Sequence, residues 1–277
     1  MDISGWRYYN YAALPSTPPH EEVNTEPIRD GSIWKLDGLP LLARWTTNFD
    51  CGYETNWWYV IKDTPFDIAV LKAKRRYEIN KGNKYFEVHE FDATKYVDEI
   101  YSIQMAAFER YPAKYRPTID KVQLTEQIHR WSWYKVYGAF SKNDGTLCGY
   151  ALLNRNTKYI YYAIQKVSPC SEPKGINAAL VYRVLADHAD FLQNGGYISD
   201  GARNIQHETA FQDYLEKYFG FRKAYCKLHI TYKPHIKVLV KLLYPFRDIL
   251  KRLDSNPTIH KINGVLQMEC FVRGKKS

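Results

Sequence analysis

Three runs between 134 and 168, "YKVYGAFS", "TLCGYALLN" and "YIYYAIQKVS", alternate between apolar and polar or small residues. Side chains on a strand point to opposite faces in turn, so this period predicts strands. "KNDG" separates the first two runs, and Asp144-Gly145 tolerates the positive φ of a tight hairpin turn. "RNTK" reverses the chain again. Residues 134–168 are therefore predicted to form a three-stranded antiparallel meander. Upstream, "YFEVHEFD" (85–92) predicts a strand, and two amphipathic helices follow near 93–110 and 118–132. Downstream, Ile176, Ala179, Leu180, Val184 and Phe191 keep helical spacing, and Gly195-Gly196 close a helix over 176–194. "YISDGARN" holds a short strand. Thr209 and Gln212 form a T-x-x-Q capping box that opens a helix running to Gly220, and "AYCKLHITY" is the next strand. These last two helices lie between strands, which predicts right-handed crossovers and parallel pairing.

The flanks are less regular. Residues 12–32 are rich in Pro and polar residues and read as a loop. "IWKLDGLPLLARWTTNF" and "NWWYVIKD" read as short strands. A helix is predicted at about 65–81, with Thr64 as cap, Pro65 in the first turn, Asp67 beside it and Gly82 as its stop. Its second half is basic: Lys72, Lys74, Arg75, Arg76 and Lys81. That face is either solvated or a contact for tRNA or lipid. From 234, "HIKVLVKLLYPFRDILKRL" is a basic amphipathic helix interrupted at Pro245. Val240, Leu243 and Leu250 form one stripe, which packs on a sheet or lies on a membrane surface.

The 277 residues suffice for one large domain or two small ones. A formal charge of +9 points to an anionic partner: nucleic acid, a phosphorylated cofactor or a membrane surface. The five cysteines are dispersed without a CxxC pair, as in a reducing compartment. No basic segment followed by an apolar run marks a signal peptide at the N-terminus, and no uncharged stretch approaches a membrane span. A cytoplasmic location is expected.

From Tyr85 the order is strand, helix, helix, three meander strands, helix, strand, helix, strand. That order resembles the GNAT N-acyltransferase superfamily. "KAKRRYEINKGNKYFEV" and "INAALVYRVLADHADFLQNGGYISDGARN" resemble segments of the Fem-type peptidoglycan-bridge aminoacyl transferases, which are built from GNAT-like halves. "YLEKYFGFRKAY" is similar to the ending common in GNAT enzymes. The resemblance covers about 65–233. It implies an α/β fold with a GNAT-like mixed sheet, in which an antiparallel meander leads into parallel strands. An N-terminal β-rich extension (1–84, a reduced first GNAT-like half), an acyltransferase core (85–233) and a C-terminal helical extension (234–277) are expected.

Members of these families transfer an acyl or aminoacyl group to an amine, from acyl-CoA or, in the Fem type, from aminoacyl-tRNA. In CoA users, backbone N–H groups between the last meander strand and the next helix bind the pyrophosphate, because a helix N-terminus offers free donors and partial positive charge. Here that segment runs from Val167 to Ala179. It keeps Lys174, Gly175, Asn177 and Ala178, but departs from the Gln/Arg-x-x-Gly-x-Gly/Ala pattern by lacking the glycine pair. Gly175 and Asn177 either admit a phosphate or mark an ordinary helix entry, and Lys174 either pairs with phosphate or is solvated. The family's tyrosine, which protonates the departing thiolate, would fall at Glu216, flanked by Tyr214 and Tyr218; for each tyrosine a place in an aromatic core is the other reading.

Asp200, Arg203 and Asn204 lie beyond the carboxyl end of a predicted strand, where α/β sites collect. Asp200 is a candidate base for an attacking ammonium, and Arg203 and Asn204 are candidates to bind substrate; an ordinary glycine-containing turn is the alternative. His207 and Glu208 are further candidate bases, or simply a polar loop before a helix. No metal signature occurs. The sequence thus leads to an N-acyltransferase that takes acyl-CoA, acetyl-CoA first, to an amine, with an amino sugar of a cell-surface glycan or its precursor as acceptor. An aminoacyl-tRNA-dependent transferase and a non-catalytic binding module on the same scaffold stay open.

Overall fold

The computed structural model describes Ile3 and residues 5–111, 116–205 and 210–274. Its strands are β1 (Trp6–Tyr9), β2 (Ala12–Pro15), β3 (Leu42–Thr47), β4 (Trp57–Lys62), β5 (Phe86–Glu90), β6 (Lys135–Ser141), β7 (Leu147–Arg155), β8 (Tyr159–Val167), β9 (Tyr197–Ala202) and β10 (Arg222–Tyr232). Its helices are α1 (Glu26–Arg29), α2 (Ala73–Tyr85), α3 (Val97–Glu109), α4 (Lys121–His129), α5 (Ile176–Asp187), α6 (Ala189–Gln193), α7 (Ala210–Phe219), α8 (Pro234–Leu243), α9 (Arg247–Arg252) and α10 (Pro257–Val272). The described residues fall into two compact units. One draws on 1–59, 202–209 and 223–277, the other on 60–201 and 210–222.

In the first unit, β1 and β2 are antiparallel, β2 and β3 parallel, and β3 and β10 antiparallel. Helices α8, α9 and α10 cover this sheet through Val240, Tyr244, Leu266, Met268 and Cys270, which pack with Leu42 and Tyr232. Asn256 caps α10 by accepting from the Thr258 and Ile259 N–H groups, and Pro257 fits the first helical position.

In the second unit, the meander β6-β7-β8 forms as predicted, extended by β5 on one side and β9 on the other. Gly145 has φ 71°, and the Asp144 carboxylate accepts from the Thr146 N–H at 3.1 Å, so the hairpin turn is held as its sequence requires. Alternation then divides the side chains. Val136, Phe140, Tyr150 and Leu152 face Ile100 and Ile103 of α3 and Leu124 and Ile128 of α4. Burying each of those aliphatic side chains contributes about 1.5–3 kcal/mol. The opposite parity packs with α5, whose Ile176 meets the strand at Gly149: a Cβ there would lie 3.1 Å from Ile176 Cδ1.

Several expectations need correction. Residues 12–32 are not all loop, since β2 and α1 form there. Ile33–Lys35, expected within a strand, belongs to a 3-10 turn at Ser32–Lys35. The helix predicted at 65–81 begins at Ala73; Asp67 instead caps a separate 3-10 turn, accepting from the Ala69 N–H at 2.8 Å. Nor does Gly82 stop it, for α2 continues to Tyr85. The glycine is there because α5 passes so close: a Cβ on Gly82 would lie 2.4 Å from the Gly175 carbonyl oxygen and 2.9 Å from Ala179 Cβ. The helix predicted over 176–194 breaks at His188, whose buried ring bonds back to the Val184 carbonyl at 2.8 Å. The parallel partner of β8 is β9, but β10 pairs antiparallel with β3, so the second expected crossover pairing does not form. Strand β4 is the strand the expected order omitted; its residues 57–59 belong to the first unit and 60–62 to the second.

Gly82→Ala tests the helix contact. In an isolated helix this change stabilises by about 1 kcal/mol. Here the methyl group meets backbone, and overpacking of this kind costs about 1–3 kcal/mol. The variant should unfold at a lower urea concentration than the wild type; an equal or higher midpoint would show that the two helices have room to separate.

Candidate functional site

The site in the second unit is set by how two parallel strands separate. The paired register of β8 and β9 runs from Tyr159–Tyr197 to Tyr161–Ser199. Beyond that point β8 continues to Val167 and β9 to Ala202 without further rungs. On its other side β8 carries a bulge. Leu152 pairs with Ile164 and Leu153 with Tyr162, which leaves Ala163 as the extra residue. A bulge bends its strand and raises the local twist. The bend falls within two residues of the last β8–β9 rung, and so accounts for the fork.

Asp200 is the first β9 residue past the last rung. Burial pushes its carboxyl up to about 7, opposed by a hydrogen bond from Gln212 of α7. Gln212 is itself buried, so the expected capping-box residue turns to the carboxylate instead. Its expected partner Thr209 lies outside the described residues, as do His207 and Glu208. Gly201 follows at φ 95° and donates its N–H to Ser199 Oγ at 3.0 Å, which shapes the end of the strand.

Tyr162 faces this carboxylate. It is fully buried, and its hydroxyl is held protonated by desolvation, by the Asp200 charge and by Tyr214. The Tyr162 hydroxyl donates to Gln165 Oε1, and Gln165 donates to Asn177 Oδ1 at 2.7 Å, linking the fork to the start of α5. Along α7 the rings continue: Tyr162 to Phe211 at 6.0 Å, Phe211 to Tyr214 at 6.1 Å, Tyr214 to Tyr218 at 5.3 Å. Burial, helped by Glu78 and Tyr218, also raises the Tyr214 hydroxyl above its ordinary range. Tyr218 sits at the far end under the Arg75 guanidinium, 3.2 Å from its ring centroid, and Arg75 is paired with Glu78 at 2.6 Å. Asp200, Tyr162, Gln212 and Tyr214 therefore gather at the fork, with Tyr218 removed from it by one helical turn. Tyr162 was not singled out in the sequence, and Gln212 only as a helix-capping residue; the parity that buries Tyr150 on one face left no mark distinguishing Tyr162 on the other.

The entry to α5 differs from a glycine-rich phosphate loop. Pro169–Lys174 is a 3-10 turn. Ser168 N–H donates to Cys148, Ser171 to Ser168 and Gly175 to Glu172, while Pro169 and Pro173 have no N–H. Five of the eight residues 168–175 thus have no N–H left for a ligand. Val167 is buried against Gly149. Gly175, at φ 83°, has a packing reason of its own: a Cβ would lie 2.7 Å from the Glu78 carbonyl oxygen. Lys174 is exposed, with its ammonium 5.8 Å from the Tyr85 ring. Ala178 is buried beside Ile79, Tyr214 and Tyr218. Among the described residues no group of three His, Cys, Asp or Glu side chains could hold a metal ion.

Arg203 and Asn204 belong to the first unit. The Arg203 guanidinium lies 4.0 Å from the ring centroids of both Trp58 and Phe271 and donates to the Asn56 carbonyl at 2.7 Å. Its Nε is buried and has no partner among the described residues. Asn204 is exposed.

No protein-family model matches the chain, and no sequence among the curated proteins matches it. Solved structures do. FemX overlays with a TM-score of 0.54 at 10% identity, covering 86% of this chain and 85% of that one. L-PGS from Bacillus licheniformis overlays with a TM-score of 0.50 at 14% identity, covering 86% and 84%. The fold is therefore GNAT-like: a mixed sheet in which an antiparallel meander leads into a parallel pair. Within that class its similarity is of the Fem type.

The Asp200 environment gives a pH prediction. Its folded value lies above the ordinary 3.8, so the folded chain holds this proton more tightly than the unfolded chain. Its contribution to stability should fall as pH rises from about 4 to about 7 and then level off. Asp200→Asn has no such proton. Its melting temperature should gain on the wild type across that window; a constant difference between the two would mean that Asp200 is solvated.

Proposed function

We propose that residues 85–233 are the core of an N-acyltransferase, with its site in the second unit, flanked by a reduced first GNAT-like half at 1–84 and a helical extension at 234–277. The carrying observation is a desolvated carboxylate placed where β8 and β9 part. A protonated amine must lose a proton before or during attack on an acyl carbonyl. A carboxyl poised near neutral pH accepts that proton far better than one at its ordinary value. Asp200 takes the proton as the C–N bond forms. Tyr214, kept protonated by burial, gives its proton to the leaving atom as the acyl–donor bond breaks. β8 amides past the last rung are the groups placed to bind the carbonyl oxygen. Tyr162 and Gln212 position the base. His207 and Glu208 stay as rival bases in the adjoining segment, and Tyr218 as a rival acid. Arg203 and Asn204 are proposed substrate contacts.

The proposed donor is acyl-CoA, acetyl-CoA first, and the proposed acceptor is an amine on a small molecule or glycan precursor, such as an amino sugar. Val167, Lys174, Gly175, Asn177 and Ala178 would frame the donor. A second reading, aminoacyl-tRNA as donor, is favoured by the sparse N–H supply at 168–175 and by the exposed Lys72, Lys74 and Arg76 at the start of α2. Arg76 is partly committed, donating to the Ala69 and Leu71 carbonyls.

Thermal shift with acetyl-CoA, CoA and charged tRNA separates these readings. Acetyl-CoA should raise the melting temperature, whereas tRNA binding that weakens steeply with salt would favour the second reading. Binding of neither would remove both. With the donor that binds, Asp200→Asn should slow single-turnover transfer by roughly 10²–10⁴-fold while the variant stays folded and keeps its donor affinity. A wild-type rate would make Asp200 a turn residue and move the base to His207 or Glu208.

A further inference from the structure

The helical segment 234–253 of the first unit carries two apolar stripes, and the core uses one. Ile236, Val240, Leu243, Tyr244 and Leu250 pack into the cluster around Leu42 and Leu266. The other stripe is Val238, Leu239, Leu242, Phe246, Ile249 and Leu253. All six are exposed, Leu242 at 63%, Phe246 at 56% and Ile249 at 59%. Their spacing of three and four residues places them along one side through the 3-10 turn at Tyr244–Phe246. A row of large apolar side chains in water marks a contact surface.

Charge identifies what covers it. Lys233 to Leu253 holds six Lys or Arg residues and one acid, Asp248, which is already paired with Arg247 at 3.3 Å. Lys237, Lys241, Lys251 and Arg252 are exposed and form no ion pair among the described residues. A second copy of this surface would bring like charges together. A polar partner would leave the apolar row unmatched. An anionic bilayer meets both demands, because acyl chains receive the apolar row while headgroup phosphates face the flanking cations.

We propose that α8 and α9 dock this protein on anionic membrane surfaces, lying in the interface plane without crossing it. No helix among the described residues is long and apolar enough to cross. The proposal is independent of the catalytic reading, since it uses no residue at the fork.

The test is co-sedimentation of the full chain with vesicles of phosphatidylcholine alone and with vesicles containing phosphatidylglycerol. Binding should require phosphatidylglycerol and weaken as salt is raised. The double variant Leu242→Asp/Phe246→Asp should lose at least about tenfold in partitioning with an unchanged melting temperature, since both side chains already face water. Lys237→Glu/Lys241→Glu should lose the anionic preference. Equal partitioning of wild type and Leu242→Asp/Phe246→Asp, or no binding to either vesicle, would overturn the proposal. So would a concentration-dependent dimer in sedimentation equilibrium that Leu242→Asp/Phe246→Asp abolishes, because a second copy would then cover the row.

Discussion

The fork at Asp200 depends on one interruption of hydrogen bonding. Between β8 and β9 the parallel ladder holds from Tyr159 to Tyr161 and then stops, while both strands run on. Parallel strands buried in a sheet normally keep pairing, because an unpaired backbone group without water costs free energy. Two local features make the separation possible. The Ala163 bulge turns β8 away, and Gly201 at φ 95° turns the end of β9. The fork that results holds the Asp200 carboxyl beside the Tyr162 and Tyr214 hydroxyls.

Burial then does to Asp200 what sequence cannot express. A carboxylate in water titrates near 4. This one is raised to about 7 because desolvation disfavours its charge more than Gln212 restores it. The surrounding tyrosines add no compensating cation. Tyr162 and Tyr214 are themselves driven further from ionisation, so the apex holds a group that readily takes a proton beside hydroxyls that keep theirs.

Much of the frame was legible in the sequence. The Asp144-Gly145 turn and the period-two runs predicted the meander to within a residue or two, because local turn chemistry and binary pattern there agree with the tertiary structure. Asp200 was reachable by its place near the carboxyl end of a predicted strand, although it lies within β9 and not beyond it. What escaped had tertiary causes. Gly82 obeys a helix-stop rule locally, yet serves as the contact point of α2 with α5. Gln212 has the position of a capping residue, but its amide satisfies a buried carboxylate. Strand β4 enters from far upstream in the chain, and no spacing near β9 announces it. Gly175 looks like a phosphate loop in sequence, while the structure gives it a neighbouring helix and surrounds it with amides already bonded.

The parted ends of β8 and β9 are the proposed seat of an acyl donor. Amide hydrogen exchange measures it directly, with and without a saturating acyl donor. New protection is expected at 162–167 and 200–202, where the β8–β9 ladder is open, and little change at 159–161 and 197–199, where it is already paired. Protection confined to other segments, with the fork exchanging as in the free protein, would contradict it.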